Sequence, residues 1–149
     1  MMRHVWSVLC SNTSIDRRSN NVSLFEVLES IQVQIPGPLT FPATIPYKAT
    51  LVTLWARQDP TQPLRDQMRV RFLAPDGTEL GAFQASVDLE TAPRSRHLTS
   101  IEGLRISGNG NHEFEVSWRH TEAEEWQVVA CVPLEVSVTV GAQAPGATQ

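Results

Sequence analysis

Apolar and polar residues alternate with a period of two through much of the chain. The pattern is cleanest over Asn111–His120, where His112, Phe114, Val116 and Trp118 share one parity and Glu113, Glu115, Ser117 and Arg119 the other. Successive side chains of a strand point to opposite faces, so this segment predicts a strand with one buried and one wet face. Gln67–Leu73 repeats the pattern with Met68, Val70 and Phe72, and Gly81–Glu90 with Phe83, Ala85, Val87 and Leu89. Between them stands Ala74-Pro75-Asp76-Gly77-Thr78. Proline presets φ and glycine accepts positive φ, so Arg65–Leu73 and Glu79–Leu89 are expected to form a β-hairpin.

Other segments carry the signal less cleanly. Val5–Cys10 is apolar on both parities, as a central strand would be, and Tyr47–Arg57 is rich in β-forming residues. His97–Ser107 changes parity near Gly103, which predicts a bulge there. Trp126–Val140 carries one long even stripe, from Trp126 and Val128 through Leu134 and Val136 to Val140. Fifteen residues would span about 50 Å, and proline cannot donate to a ladder, so a break or a change of sheet is expected near Pro133. Ser23-Leu24-Phe25-Glu26 has the form of a helix capping box, and Leu24, Leu28 and Ile31 have helical spacing. A strand over Val22–Ser30, continuing into Gln32–Ile35, is the favoured alternative.

Ser11–Asn20, the proline-rich Pro36–Pro46 and Gln58–Leu64 read as loops. Leu39, Phe41 and Ile45 are expected to tuck the second of these against the core; the alternative is a docking motif for a partner. Residues 1–140 then make one domain and residues 141–149 a loose tail. The fold class is all-β: a two-sheet antiparallel β-sandwich of about seven or eight strands, of Ig-like or Greek-key type.

Composition changes this picture little. A chain of 149 residues is one domain by length and buries enough surface for a proper core. The net charge of −4 speaks against nucleic acid as a partner, since phosphate binding needs clustered basic residues. The N-terminal apolar run is too short for a secretory leader or a membrane span, so a cytoplasmic protein is expected. Cys10 and Cys131 belong to no metal-binding pair and are expected to be free.

The order of elements resembles a family of uncharacterised bacterial β-sandwich proteins. The residues that carry the likeness are His4–Cys10, Asn21-Val22-Ser23-Leu24-Phe25, the Pro75-Asp76-Gly77 turn, Gly110–Trp118 and Val132-Pro133-Leu134-Glu135-Val136. The resemblance implies the fold and no activity.

Candidate chemistry is thin. The chain has no phosphate loop, no Gly-x-Ser-x-Gly and no His-Glu-x-x-His. His112 and His120 share a strand parity but lie about 26 Å apart by strand rise, too far to share a metal. They are read as strand-end residues at the sheet rim. His97 stands beside Arg94 and Arg96, a setting hostile to a cation, and His4 has no evident partner. Glu122, Glu124 and Glu125 lack the spacing of a calcium loop and read as a hairpin tip. Arg65, Arg69 and Arg71 share an outward face and are expected to pair with residues such as Asp88 or Glu115. Trp6, Trp55 and Trp118 are expected in the core and Trp126 in solvent. No catalytic, cofactor-binding or metal-binding residue is assigned.

Three readings of function follow. The first is a non-catalytic binding or assembly module, in which a protein partner or a second copy docks on a sheet edge or face. Lysine is the usual guard of exposed edges, and the chain has only Lys48. The others are a loop-built enzyme or metal-dependent hydrolase, and a carbohydrate-binding sandwich using exposed tryptophan.

Overall fold

The computed structural model describes residues 1–141; the tail expected over 141–149 lies outside the described residues but for Gly141. The fold is all-β. Its strands are β1 (Met2–Ile15), β2 (Val22–Val27), β3 (Ser30–Ile35), β4 (Ala43–Ile45), β5 (Ala49–Arg57) and β6 (Leu64–Leu73). They continue with β7 (Glu79–Leu89), β8 (Arg94–Ile101), β9 (Leu104–Ile106), β10 (Gly110–Arg119) and β11 (Gln127–Val140). Among the described residues the expected seven or eight strands are thus eleven, in three sheets by pairing: β2-β1-β5-β8, β3-β11-β10-β6-β7, and the small ribbon β4-β9. Nor is the pairing wholly antiparallel, because β3 runs parallel to β11.

Both larger sheets turn apolar residues into one core. Leu9, Leu51 and Trp55 come from the four-stranded sheet, and Met68, Phe72, Val116, Trp118, Leu134 and Val136 from the five-stranded one. The inward parity of β10 and β6 is met: His112, Phe114, Val116 and Trp118 are buried, as are Met68, Val70 and Phe72. Ser117, expected on the wet face, is buried too, next to the irregularity in the β10–β11 pairing. The β6–β7 hairpin forms as expected. Ala74 N–H donates to Thr78 O, Gly77 N–H donates to Ala74 O, and Gly77 takes φ +90°.

Five segments depart from the sequence reading. Ser11–Asn20 is not a loop throughout, because β1 runs on to Ile15 with its polar residues paired to β2. Val22–Ser30 is β-structure, not helix, but it is not one strand. It ends at Val27, crosses at Leu28–Glu29 and resumes as β3 in the other sheet. His97–Ser107 is no single bulged strand; the parity change marks a gap at Glu102–Gly103, where the chain leaves β8 and re-pairs as β9 with β4.

The fourth departure is β11, which neither breaks nor changes sheet at Pro133. The N–H groups of Glu135 and Gly141 both donate toward β3, to Glu29 O and Ile35 O. The same parity puts the proline nitrogen on that side, two residues before β3 begins opposite Glu135. No ladder bond is lost there. The even stripe does break, at a bulge opposite Val116/Ser117, so Val128 is 53% exposed while Leu134 and Val136 stay inside. The fifth is the proline-rich crossing Pro36–Pro46, which is not a loop throughout because Ala43–Ile45 form β4 against β9. In it Phe41 and Ile45 pack on the core, but Leu39 is exposed.

Candidate functional site

Two strand edges, β7 of the five-stranded sheet and β8 of the four-stranded sheet, approach each other without bonding. The Phe83 and His97 rings touch across the gap, 5.4 Å between centroids. Beyond that contact the edges part, because β8 stops at Ile101 while β7 runs on to its start at Glu79. Gly103 permits the departure: a Cβ there would stand 3.1 Å from Thr44 Cγ2 of β4. The parting leaves an apolar groove of about 290 Å³, lined among others by Phe72, Leu80, Phe83, Ile101, Leu104 and Phe114. Thr99 also lines it, and its buried Oγ1 has no partner. Phe83, expected in the core, is 40% exposed, its ring covered on this edge by the His97 contact.

The edge beside the groove is unguarded. Leu80–Val87 contains no charged residue and no proline. By contrast β8 carries Arg94 and Arg96, β2 holds Glu26 in the left-handed region at φ 55°, and β3 runs into Pro36. The register of β7 against β6 slips once, at Leu80, and is regular from Gly81 to Val87. A strand edge free of lysine and proline over such a regular run is a template for pairing with another chain.

Elsewhere the titratable groups do not converge. His4 Nε2 lies 2.8 Å from Ser7 Oγ, which donates to Thr53 Oγ1 at 3.1 Å. Among the described residues no carboxylate orients His4, so the pair lacks the third group of a nucleophile–base–acid relay. Burial lowers the His4 and His97 pKa values. His112 is not at a rim: it is fully buried, bonded to Ser107 and Gly110 and stacked on Phe72 at 5.4 Å. His120 Nδ1 lies 2.5 Å from Asp66 Oδ1, and that carboxylate is wholly buried. No group of His, Cys, Asp and Glu among the described residues is placed to hold a metal.

The outward arginines behave as expected in part. Arg65 pairs with Asp88 and Glu90, and Arg71 with Glu79 and Glu115. Among the described residues Arg69 pairs with no carboxylate; with Arg119 it lies over the Trp126 ring, at 4.8 and 4.2 Å. Trp126 is therefore half-buried under two guanidinium groups, not a bare platform in solvent. Trp55 and Trp118 are buried as expected, and Trp6 is half-buried. Cys10 and Cys131 are both free, one buried and one exposed. Among the described residues no helix is long and apolar enough to cross a membrane.

The groove itself was not read from the sequence. Its parts were visible as the stripe through Phe83 and the parity change at Gly103, but only the tertiary structure sets them side by side. The chain matches no protein-family model, and no curated protein matches it.

Proposed function

We propose that the chain is a non-catalytic binding module that takes an extended segment of another polypeptide along the β7 edge. The observation that carries this reading is the pairing of an uncharged, proline-free edge with an apolar groove at its end. Strand addition draws its affinity from main-chain hydrogen bonds and its selectivity from a pocket for a side chain. Leu80, Phe83, Ile101 and Leu104 suit a bulky apolar residue of the incoming strand. The scattered titratable groups supply no competing centre for chemistry. We read the two larger sheets as the layers of a Greek-key β-sandwich of Ig-like type, since the chain passes repeatedly between them and β3 lies parallel to β11. The two free cysteines accord with a reducing, cytoplasmic setting.

Gly81 offers the test. A Cβ added there meets nothing within 4 Å, so Gly81→Lys starts a guarding side chain on the edge in open space. The wild-type chain should retain a partner from native extract that the variant loses. On binding, amide exchange should slow across Leu80–Val87 and not on β2. A partner that binds the variant equally well, or slows exchange elsewhere, would overturn the reading.

A further inference from the structure

A second cleft lies on the opposite side of the four-stranded sheet. Strand β1 pairs with β5 as far as Cys10 and with β2 beyond it, so its last residues belong to a hairpin. The turn closing that hairpin is held by Asn20 N–H donating to Asp16 O at 2.8 Å and Asp16 N–H donating to Asn21 O at 2.9 Å. Asn20, in the left-handed region at φ 60°, also accepts from Arg96 Nη2 of β8 at 2.5 Å. Trp6 pairs with Leu54 and Leu54 with Arg96, so these three residues lie in one row across the sheet. The hairpin tip therefore folds back over that row. Between tip and sheet is a cleft of about 350 Å³, lined by Trp6, Leu54, Arg94, Arg96 and residues 19–22.

Its chemistry is unlike that of the β7 groove. Arg94 and Arg96 pair with no carboxylate among the described residues, whereas Arg65 and Arg71 each hold two. The nearest acid in the turn, Asp16, spends its Oδ2 on Ser19 N–H and Ser19 Oγ, each at 2.8 Å. The cleft thus gathers two uncompensated guanidinium groups, an indole and the polar side chains of Ser19, Asn20 and Asn21. Guanidinium matches phosphate oxygens in a bidentate fork, and an indole face stacks on a flat ring. A volume of this size lies within the range of small-molecule sites.

We propose that this cleft binds a small phosphate-bearing molecule that carries a flat ring. Arg94 and Arg96 hold the phosphate, and Trp6 packs on the ring. The site is independent of the β7 edge, so either reading can fail without the other. Adenosine monophosphate is the probe, with adenosine and inorganic phosphate as its two halves, titrated calorimetrically at low salt into the full chain. The monophosphate should bind with a Kd below about 1 mM, and each half at least about tenfold more weakly. Arg94→Gln should weaken the monophosphate at least about tenfold. Trp6→Leu should weaken the monophosphate and leave inorganic phosphate unchanged. Arg105→Gln removes an unpaired arginine elsewhere and should change nothing; circular dichroism of each variant checks that it is folded. The proposal is overturned if the monophosphate gives no saturable heat. It is equally overturned if Arg94→Gln binds like the parent, or if Arg105→Gln weakens binding as much as Arg94→Gln.

Discussion

Asp66 is the only carboxylate among the described residues that is wholly buried, on the inward parity of β6 beside Met68. A buried charge is costly unless it is paired, and here the partner is His120, just past the end of β10. The hydrogen bond to Asp66, and then the Asp66 charge, raise the His120 pKa above its ordinary value of 6.5. A group whose folded pKa is raised contributes stability that is fully present below the unfolded pKa and is lost as pH rises through the folded one. The difference in unfolding free energy between wild type and His120→Asn should therefore be greatest below pH 6.5 and shrink as pH rises above it. Burial lowers the pKa values of His4, His97 and His112, so their contributions run the other way and are lost as pH falls below 6.5. They cancel in the difference between the two proteins. Urea unfolding across that pH range measures it, and a difference independent of pH would remove the pairing from the account.

At the scale of the element, Pro133 shows how one paired neighbour decides what a residue costs. Its nitrogen faces the side of β11 where β3 has not yet begun, while Ser137, of the same parity, lies opposite Gln32. Ser137→Pro should destabilise by more than about 2 kcal/mol, through a lost ladder bond and ring strain. Pro133→Ala should change stability by less than about 1 kcal/mol. Equal midpoints for the two in chemical denaturation would contradict this register. The same strand marks the limit of what the sequence discloses. β6, β7 and β10 were legible because their polar residues fix the phase of the alternation. Val128, Val129 and Ala130 are all apolar, so nothing in them signals the bulge that turns Val128 outward. Val22–Ile35 likewise gave β-structure but not the crossing at Leu28–Glu29, since buried Leu28 looks like one more member of an apolar stripe. The β7 groove and the cleft beneath the hairpin tip were illegible for a different reason. Each joins residues far apart in the chain, Phe83 with Leu104 and Trp6 with Arg96, and no local pattern encodes that meeting.

For the whole molecule, the order of strands determines how it comes apart. The chain passes between the two larger sheets at β2–β3, through β4 to β5, at β5–β6, at β7–β8, and through β9 to β10. Neither larger sheet is made from one contiguous stretch of chain. Their buried residues form one cluster, with Leu51 and Trp55 of β5 and Val116 and Trp118 of β10 among its members. A unit that unfolds by itself usually coincides with a compact, contiguous piece of structure, and neither larger sheet is one. Loss of the four-stranded sheet would strip the cover from Met68, Phe72 and Leu134, and loss of the five-stranded sheet would do the same to Leu9 and Trp55. Each sheet thus depends on the other for the burial that stabilises it. Native-state amide exchange should accordingly find the slowest amides of β5 and of β10 opening with the same free energy, within about 1 kcal/mol, at the global limit. Thermal unfolding followed by far-ultraviolet dichroism and by tryptophan fluorescence should give coincident transitions. Amides of β5 that open well before those of β10, or two resolved transitions, would show the sheets to be separate cooperative units. The β7 edge would then have to be weighed as part of the five-stranded sheet alone, without β8 as the other wall of its groove.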